Sequence, residues 1–306
     1  MQMHTIWSDR GAAHTLAGAP PADDIPTLMA ASRGGSLAVA DASASAWLVL
    51  RGGATLECRE GRFSLSRGQW IVLEREARPL LHATGDGLVL ALTLPPRLQP
   101  QAALDGGLFP GLGRLTAGAA PAALRLWRRC APMTRNVAAI HAVDRLRLDA
   151  LLRLLAAQQA GLRELVERCP GRSLRRRRQV FARMQRAWLY MAGHLDRPVR
   201  IGELAELGSV SVWYFTKTFQ ALYGEGPQAA STRLRLAHAA RLLRGSRLSV
   251  SEAGAACGFE NNCSFSRAFR ARFGMPPSRY RAPAAGTPQA ANRTGMRGQA
   301  SASRAP

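Results

Sequence analysis

The sequence predicts a two-domain α+β protein: an N-terminal antiparallel β-barrel or sandwich, a helical linker, and an all-α C-terminal domain built from two helix-turn-helix units. Three observations predict it. Short apolar runs separated by glycine turns fill residues 36–94, the apolar period becomes helical after residue 121, and a block of the C-terminal third repeats itself fifty residues later. A chain of 306 residues and 33.0 kDa has room for two such domains.

In the first half, Ser36–Ala40, Ala46–Leu50, Ala54–Arg59, Arg62–Leu65, Gln69–Glu74, Leu80–Ala83 and Leu88–Leu94 read as strands, with turns at Gly52-Gly53, Gly61, Gly68 and Gly85–Gly87. Pro95-Pro96 ends the β region and Gly106–Pro121 reads as a loop. From Val137 to Glu167 the stripe Leu148, Leu151, Leu152, Leu155, Leu162, Leu165 and Val166 predicts one amphipathic helix, whose leucines are a candidate dimer contact as well as a candidate packing face. A break at Cys169-Pro170-Gly171 leads into Arg172 and Arg175–Arg178, a candidate solvated linker. A second helical stripe, Phe181, Met184, Trp188, Met191 and Leu195, then runs up to Pro198. Residues 284–306 carry no periodicity and read as a disordered basic tail.

The charge is large and lopsided. Lys plus Arg is 42 against 20 acids, a net +22, and residues 171–306 hold 22 Arg, Lys217 and six acids, a net +17. An anionic polymer is the expected partner, and it should engage the second half. Hydrophobic residues make up 47% of the chain, which separates it from disordered polycations. Five scattered cysteines without a CxxC pair point to reduced thiols, neither a disulfide framework nor a zinc site. Met1–Pro21 has an acid, Asp9, two His and no unbroken apolar run, so neither a signal peptide nor a membrane span is expected there, and the expected location is the cytoplasm.

Adding fifty to each position carries Phe215-Thr216-Lys217-Thr218-Phe219 onto Phe265-Ser266-Arg267-Ala268-Phe269, and Tyr223, Gly224 and Pro227 onto Phe273, Gly274 and Pro277. Each block follows a short helical segment, Ile201–Leu207 or Val250–Ala256, and a turn at Gly208 or Gly258, so each copy reads as a helix-turn-helix. Ser211 and Asn261 are the natural N-caps of the second helices. The aromatic stripe of each helix faces inward. The opposite stripes are Trp213, Thr216, Lys217 and Gln220 in the first copy and Cys263, Ser266, Arg267 and Arg270 in the second, with hydrogen-bonding and cationic side chains on one narrow face that fits the DNA major groove.

From Ala187 to Ala282 the sequence resembles the AraC/XylS transcription regulators. The resemblance rests on Gly258-Phe259, Phe265-Ser266-Arg267-Ala268-Phe269, Phe273-Gly274, Pro276-Pro277 and Tyr280-Arg281, with Arg235, Ala239, Leu242 and Leu243 matching the helix that joins the two units. It implies a sequence-specific regulator, an activator acting with RNA polymerase, whose base- or sugar-facing residues are Trp213, Thr216 and Lys217, then Asn262, Ser266 and Arg267. Gly254 departs from the family's usual Ala, at an expected cost of roughly 1 kcal/mol of helix propensity. Trp47, Gly52-Gly53, Gly61 and Gly68 are similar in pattern to the cupin-like effector domain of the same family.

The resulting expectation divides the chain into a cupin-like regulatory domain (1–115), a helical linker and dimerisation region (122–182), a DNA-binding domain (183–283) and the tail (284–306). No cofactor or metal is expected, since residues 36–94 contain only His82 and no His-x-His. Trp47, Trp70 and His82 are candidate liners of an effector cavity, with core packing as the equal alternative for the tryptophans. Two alternatives stay open: a nonspecific DNA-packing protein using the arginine run and tail, and a regulator that transfers an alkyl group to a cysteine.

Overall fold

The computed structural model describes residues 2–16, 25–40, 44–94, 108–130, 138–142 and 145–281. Pro95-Pro96, the start of the expected long helix at Val137 and the tail 284–306 lie outside them. Among the described residues, strands β1 (Gln2–Asp9), β2 (Ala13–Leu16), β3 (Thr27–Ser32), β4 (Ser36–Val39), β5 (Ala44–Arg51), β6 (Gly53–Cys58), β7 (Gly61–Ser66), β8 (Gln69–Leu73), β9 (Leu80–Ala83), β10 (Leu88–Leu94), β11 (Gly111–Arg114) and β12 (Ala138–Ala142) form two sheets. One has the order β11-β8-β5-β10-β3-β1-β12 and the other β2-β4-β9-β6-β7.

The β half is therefore a two-sheet sandwich, not a closed barrel, and it is not wholly antiparallel: β1 pairs with β3, and β2 with β4, in parallel. The sheets share a core of Ile6, Met29, Leu37, Trp47, Leu56, Phe63, Ile71, Leu81 and Val89. The five-stranded sheet has one solvated face, so β7 and β9 alternate buried and exposed residues. The seven-stranded sheet is covered on both faces, and β3 and β10 are accordingly near-continuous apolar runs.

Its outer face is covered by α1 (Ala119–Cys130) and α2 (Arg145–Ala157), whose Trp127, Leu148, Leu151 and Leu155 join Leu28, Leu48, Leu90 and Leu92 in a second core. This corrects two expectations. The segment after Val137 is three elements rather than one helix: β12 paired with β1, then α2, then α3 (Ala160–Arg168) after a break at Gln158-Gln159. The break is held by side-chain amides, Gln159 bonding both backbone groups of Phe109 and Gln158 accepting from the Thr116 amide. The leucine stripe is used within the chain: Leu148, Leu151 and Leu155 are buried against its own sheet with Leu152 beside them, while Leu165 and Val166 join the core of the first helix-turn-helix unit. The expected loop 106–121 likewise contains β11 and the start of α1.

Helix α4 (Leu174–Gly193) is the joint of the molecule. Ser173 caps it, so Arg175–Arg178 lie in its first turns and are not a linker, and it ends at Gly193, five residues before Pro198. Leu189 and Ala192 pack into the sandwich core, while Phe181, Met184 and Met191 enter the core of the first helix-turn-helix unit. The expected boundary at residue 183 falls inside this one helix. Arg186 adds an ion pair across the joint to Glu74. No helix of the described residues is long and apolar enough to cross a membrane.

Candidate nucleic-acid interface

The C-terminal helices are α5 (Ile201–Leu207), α6 (Val212–Tyr223), α7 (Pro227–Gly245), α8 (Val250–Ala255), α9 (Asn262–Phe273) and α10 (Pro277–Tyr280). Each recognition helix is started and stopped by its own sequence. The Ser211 hydroxyl accepts from the Tyr214 amide and the Asn261 carboxamide from that of Ser264, and Gly224 and Gly274 end α6 and α9 in the left-handed conformation. Between caps, aromatic residues every three to four positions bury one face: Phe215, Phe219 and Leu222 on α6, Phe265 and Phe269 on α9.

Two separate small cores result. Val180, Phe181, Leu204, Phe215, Phe219 and Ala230 form the first, and Leu236, Ala239, Leu243, Ala253, Cys257, Phe265 and Phe269 the second. Helix α7 runs through both. Midway along it the buried Arg235 donates to the carbonyls of Cys257 (3.2 Å) and Gly258 (3.1 Å) and stacks over Phe259, 4.6 Å from the ring centroid. Burial lowers its pKa from the usual arginine value, and the guanidinium stands in for the missing backbone donors of the turn.

The two turns solve one problem differently. In the first unit Gly208 is right-handed and Ser209 takes the left-handed position, φ 49°, whereas in the second Gly258 takes it at φ 70°. A Cβ on Gly258 would lie 2.6 Å from the Asp196 carbonyl oxygen and 2.7 Å from Arg197 Cα, so this turn touches backbone and only glycine fits. Gly254 also has a packing reason, because a Cβ there would meet the Phe265 ring at 2.9 Å. Its cost in helix propensity is the cost of bringing α8 close to α9.

Opposite the buried faces, Trp213, Lys217 and Gln220 on α6 and Asn262, Arg267 and Arg270 on α9 are exposed, with Thr216 and Ser266 half-buried beside them. Trp213 is 69% exposed, the Lys217 ammonium lies 4.9 Å from its ring centroid, and Val212 beside it is exposed as well. Two of the expected reading groups are engaged within the chain: Thr216 Oγ1 donates to the Val212 carbonyl at 2.9 Å, and Asn262 Nδ2 donates to Ser251 Oγ at 3.0 Å. Ser251 on α8 was not singled out from sequence; the hydrogen bond to Asn262 brings it to this face.

The structure does not bring Trp47, Trp70 and His82 together. Trp47 fills the sandwich core with its indole N–H donated to Ser45, and Trp70 lies under Gly113 on the other face of the same sheet. His82 is exposed on the five-stranded sheet, 2.7 Å from Ser36 Oγ. Trp47 and Trp70 are both packing residues, buried on opposite faces of the seven-stranded sheet. No group of three His, Cys, Asp or Glu is arranged to hold a metal ion among the described residues.

The first helix-turn-helix unit is locked to α4 by a triad. Arg197 donates to Glu203 at 2.7 and 3.1 Å and to the Tyr190 hydroxyl at 3.0 Å, and that hydroxyl donates to Glu203. The Arg197 hydrogen bond holds the Glu203 carboxyl down at about 2, below its ordinary value of 4.5. Because the folded-state pKa is the lower one, the triad's contribution is complete above about pH 4.5 and is lost as pH falls toward 2. Urea titrations from pH 7 to 2.5 should show Glu203→Gln less stable than wild type at neutral pH and the gap closing with acidification; a gap independent of pH would assign the triad no titrating role.

A helix-turn-helix domain family matches residues 204–283, which span both units just described, and the relatives that match are transcriptional regulators. The C-terminal domain of the chain is of the AraC/XylS type. The AraC/XylS-type chain is 38% identical over 112 residues to the HTH-type transcriptional regulator CdhR of Pseudomonas aeruginosa, covering 37% of this chain and 31% of that one. It is 32% identical over 91 residues to LumQ of Photobacterium leiognathi, a probable transcriptional regulator, covering 30% and 37%. A solved structure described as a probable AraC family transcriptional regulator from Rhodopseudomonas palustris is 33% identical, covering 32% of this chain and 93% of that one, with a TM-score of 0.31. The matches span about a third of the length of these curated relatives.

Proposed function

We propose that this AraC/XylS-type chain is a sequence-specific DNA-binding transcriptional regulator whose helices α6 and α9 enter successive major grooves on one side of the duplex. The observation that carries the reading is the pair of outward stripes, Trp213/Thr216/Lys217/Gln220 and Asn262/Ser266/Arg267/Arg270, mounted on two capped helices that share the long helix α7. Arg267 and Lys217 are suited to guanine O6 and N7, and the Trp213 ring to thymine methyls or sugars. The β sandwich with helices α1 and α2 serves as the regulatory domain, and the helices from α5 to α10, carried on α4, as the DNA-binding domain. As an activator it acts in the cytoplasm beside RNA polymerase, and a small effector and a second copy of the chain are its further proposed partners.

Footprinting on the DNA flanking its own gene tests the reading: protection should cover two groove entries about 34 Å apart, and protection of a single half-turn would refute it. Arg267→Ala should cost about 1–3 kcal/mol on the operator and relax preference at one base pair. Neutralising Arg175 and Arg176, both exposed on α4, should instead weaken operator and random DNA alike and flatten the salt dependence. Equal loss on both DNAs for Arg267→Ala would reassign that residue to phosphate. A high operator-to-random ratio at fixed salt likewise separates this reading from nonspecific packing.

Alkyl transfer is disfavoured on chemical grounds at Cys58, Cys130, Cys169 and Cys257, the four cysteines that are buried or half-buried. The reaction needs a thiolate, and burial pushes the Cys169 and Cys257 thiols up to about 11 and raises those of Cys58 and Cys130 as well.

A further inference from the structure

The cleft between the β sandwich and the first helix-turn-helix unit has an unbalanced charge. It is a cavity of about 420 Å³ bounded by the tip of the β6–β7 hairpin, the segment after β8, helix α4 and helix α5. Five glutamates line it against two arginines. Both arginines already have carboxylates: Arg59 pairs with Glu76 at 3.1 Å and Arg186 with Glu74. Glu203 is taken by Arg197 from outside the cavity. Glu60 and Glu206 form no ion pair among the described residues; the Cys58 thiol hydrogen-bonds Glu60 and Arg186 feels its charge at longer range, which leaves Glu60 Oε2 without a partner.

Glu60 carries the argument. It is only 6% exposed, and its Oε2 is buried without a hydrogen-bond partner. A buried acceptor left unmade costs about 1–3 kcal/mol, more when the group is charged, so a donor brought to this oxygen gains what the protein has not supplied. The Glu60 backbone is also held in place. The Glu60 carbonyl sits against the last residue of α4, where a Cβ on Gly193 would approach it to 2.3 Å, so glycine at 193 lets the hairpin tip seat on the helix end. Glu206, exposed on α5, lines the same cleft, with no ion-pair partner among the described residues.

We propose that this cleft is a binding site for a small organic cation with a primary ammonium or guanidinium head, Glu60 and Glu206 being its two carboxylates. A head of this kind supplies the several N–H donors an unpaired carboxylate accepts. A bare metal ion fits less well, since no three His, Cys, Asp or Glu among the described residues stand close enough to ligate one. The two carboxylates come from opposite halves of the chain, so occupancy ties the sandwich to the first helix of the DNA-binding domain and favours the arrangement in which both contribute. This deepens the regulatory reading and rests on it for its biological meaning alone.

Calorimetric titration and thermal unfolding of the full chain, without DNA, test the site with agmatine and putrescine as probes and with magnesium chloride and sodium benzoate for comparison. The amines should bind saturably and raise the unfolding temperature with concentration, benzoate should do neither, and Glu60→Gln should weaken amine binding about tenfold or more. Glu206→Gln, at an exposed position that leaves the core untouched, should weaken it too. No saturable binding by either amine, undiminished binding in both variants, or magnesium binding as tightly as the amines would overturn the proposal. A protein that takes up agmatine but makes no preference among DNA sequences would refute the regulator reading and leave the cation site standing. One that recognises its operator and ignores both amines would do the reverse.

Discussion

Phe269→Ala is expected to cost about 3–5 kcal/mol and to unfold the second helix-turn-helix unit while the rest of the chain stays folded. Phe269 is fully buried and is the centre of an aromatic cluster, with ring centroids 5.5 Å from Phe265, 4.5 Å from Phe273 and 5.2 Å from Tyr280. The second unit has few other buried side chains to absorb a cavity of that size, and its core is separate from the core around Phe215 and Phe219. Hydrogen exchange should show protection lost in α8, α9 and α10 and kept in α4, α5 and α6. DNA protection should shrink to one groove entry. Uniform loss of exchange protection across both units would mean that they unfold as one body and that α7 transmits the damage.

Replacing Leu151 and Leu155 with Asp should unfold the β half. Both side chains are buried between α2 and the seven-stranded sheet, in a cluster with Trp127, Leu90 and Leu92. Removing each leucine costs about 2–5 kcal/mol before the carboxylate is counted, and a carboxylate in this apolar layer has no partner to offset its dehydration. Tryptophan emission reports the outcome, because Trp47, Trp70 and Trp127 are all buried in this half: a red shift and aggregation are expected. A folded monomer with unshifted emission would return these leucines to a subunit contact and would contradict the packing seen here.

The elements legible in the sequence are those whose signals are local. The strands from β4 to β10 were readable because glycine turns punctuate them and the five-stranded sheet alternates strictly. The starts of both recognition helices are readable because Ser211 and Asn261 cap them, and the repeated Gly224 and Gly274 prove to be where the structure ends them. β1, β2, β3, β11 and β12 were not. β3 (TLMAAS) has no alternation because both its faces are covered, and β12 (AAIHA) is alanine-rich and becomes a strand by pairing with β1, more than a hundred residues away. The arginine run at 175–178 is compatible with linker and helix alike until Ser173 caps it and Phe181 docks.

The candidate interface divides in the same way. Which side of α6 and α9 faces out follows from the aromatic period, so Trp213, Lys217, Arg267 and Arg270 could be named from sequence alone. The family signature, the repeat and the charge excess of the C-terminal half were likewise present in the order of residues. Tertiary structure alone decided that the leucine stripe is covered by the chain's own sheet, that Trp47 fills the sandwich, that Gly254 and Gly258 answer to close neighbours, and that Glu60 meets a cleft shared with Glu206. The physical reason is one of range. Caps, turns and amphipathic periods are set by residues within a few positions of one another, whereas whether an apolar or charged side chain finds a neighbour depends on segments that only the folded chain brings together.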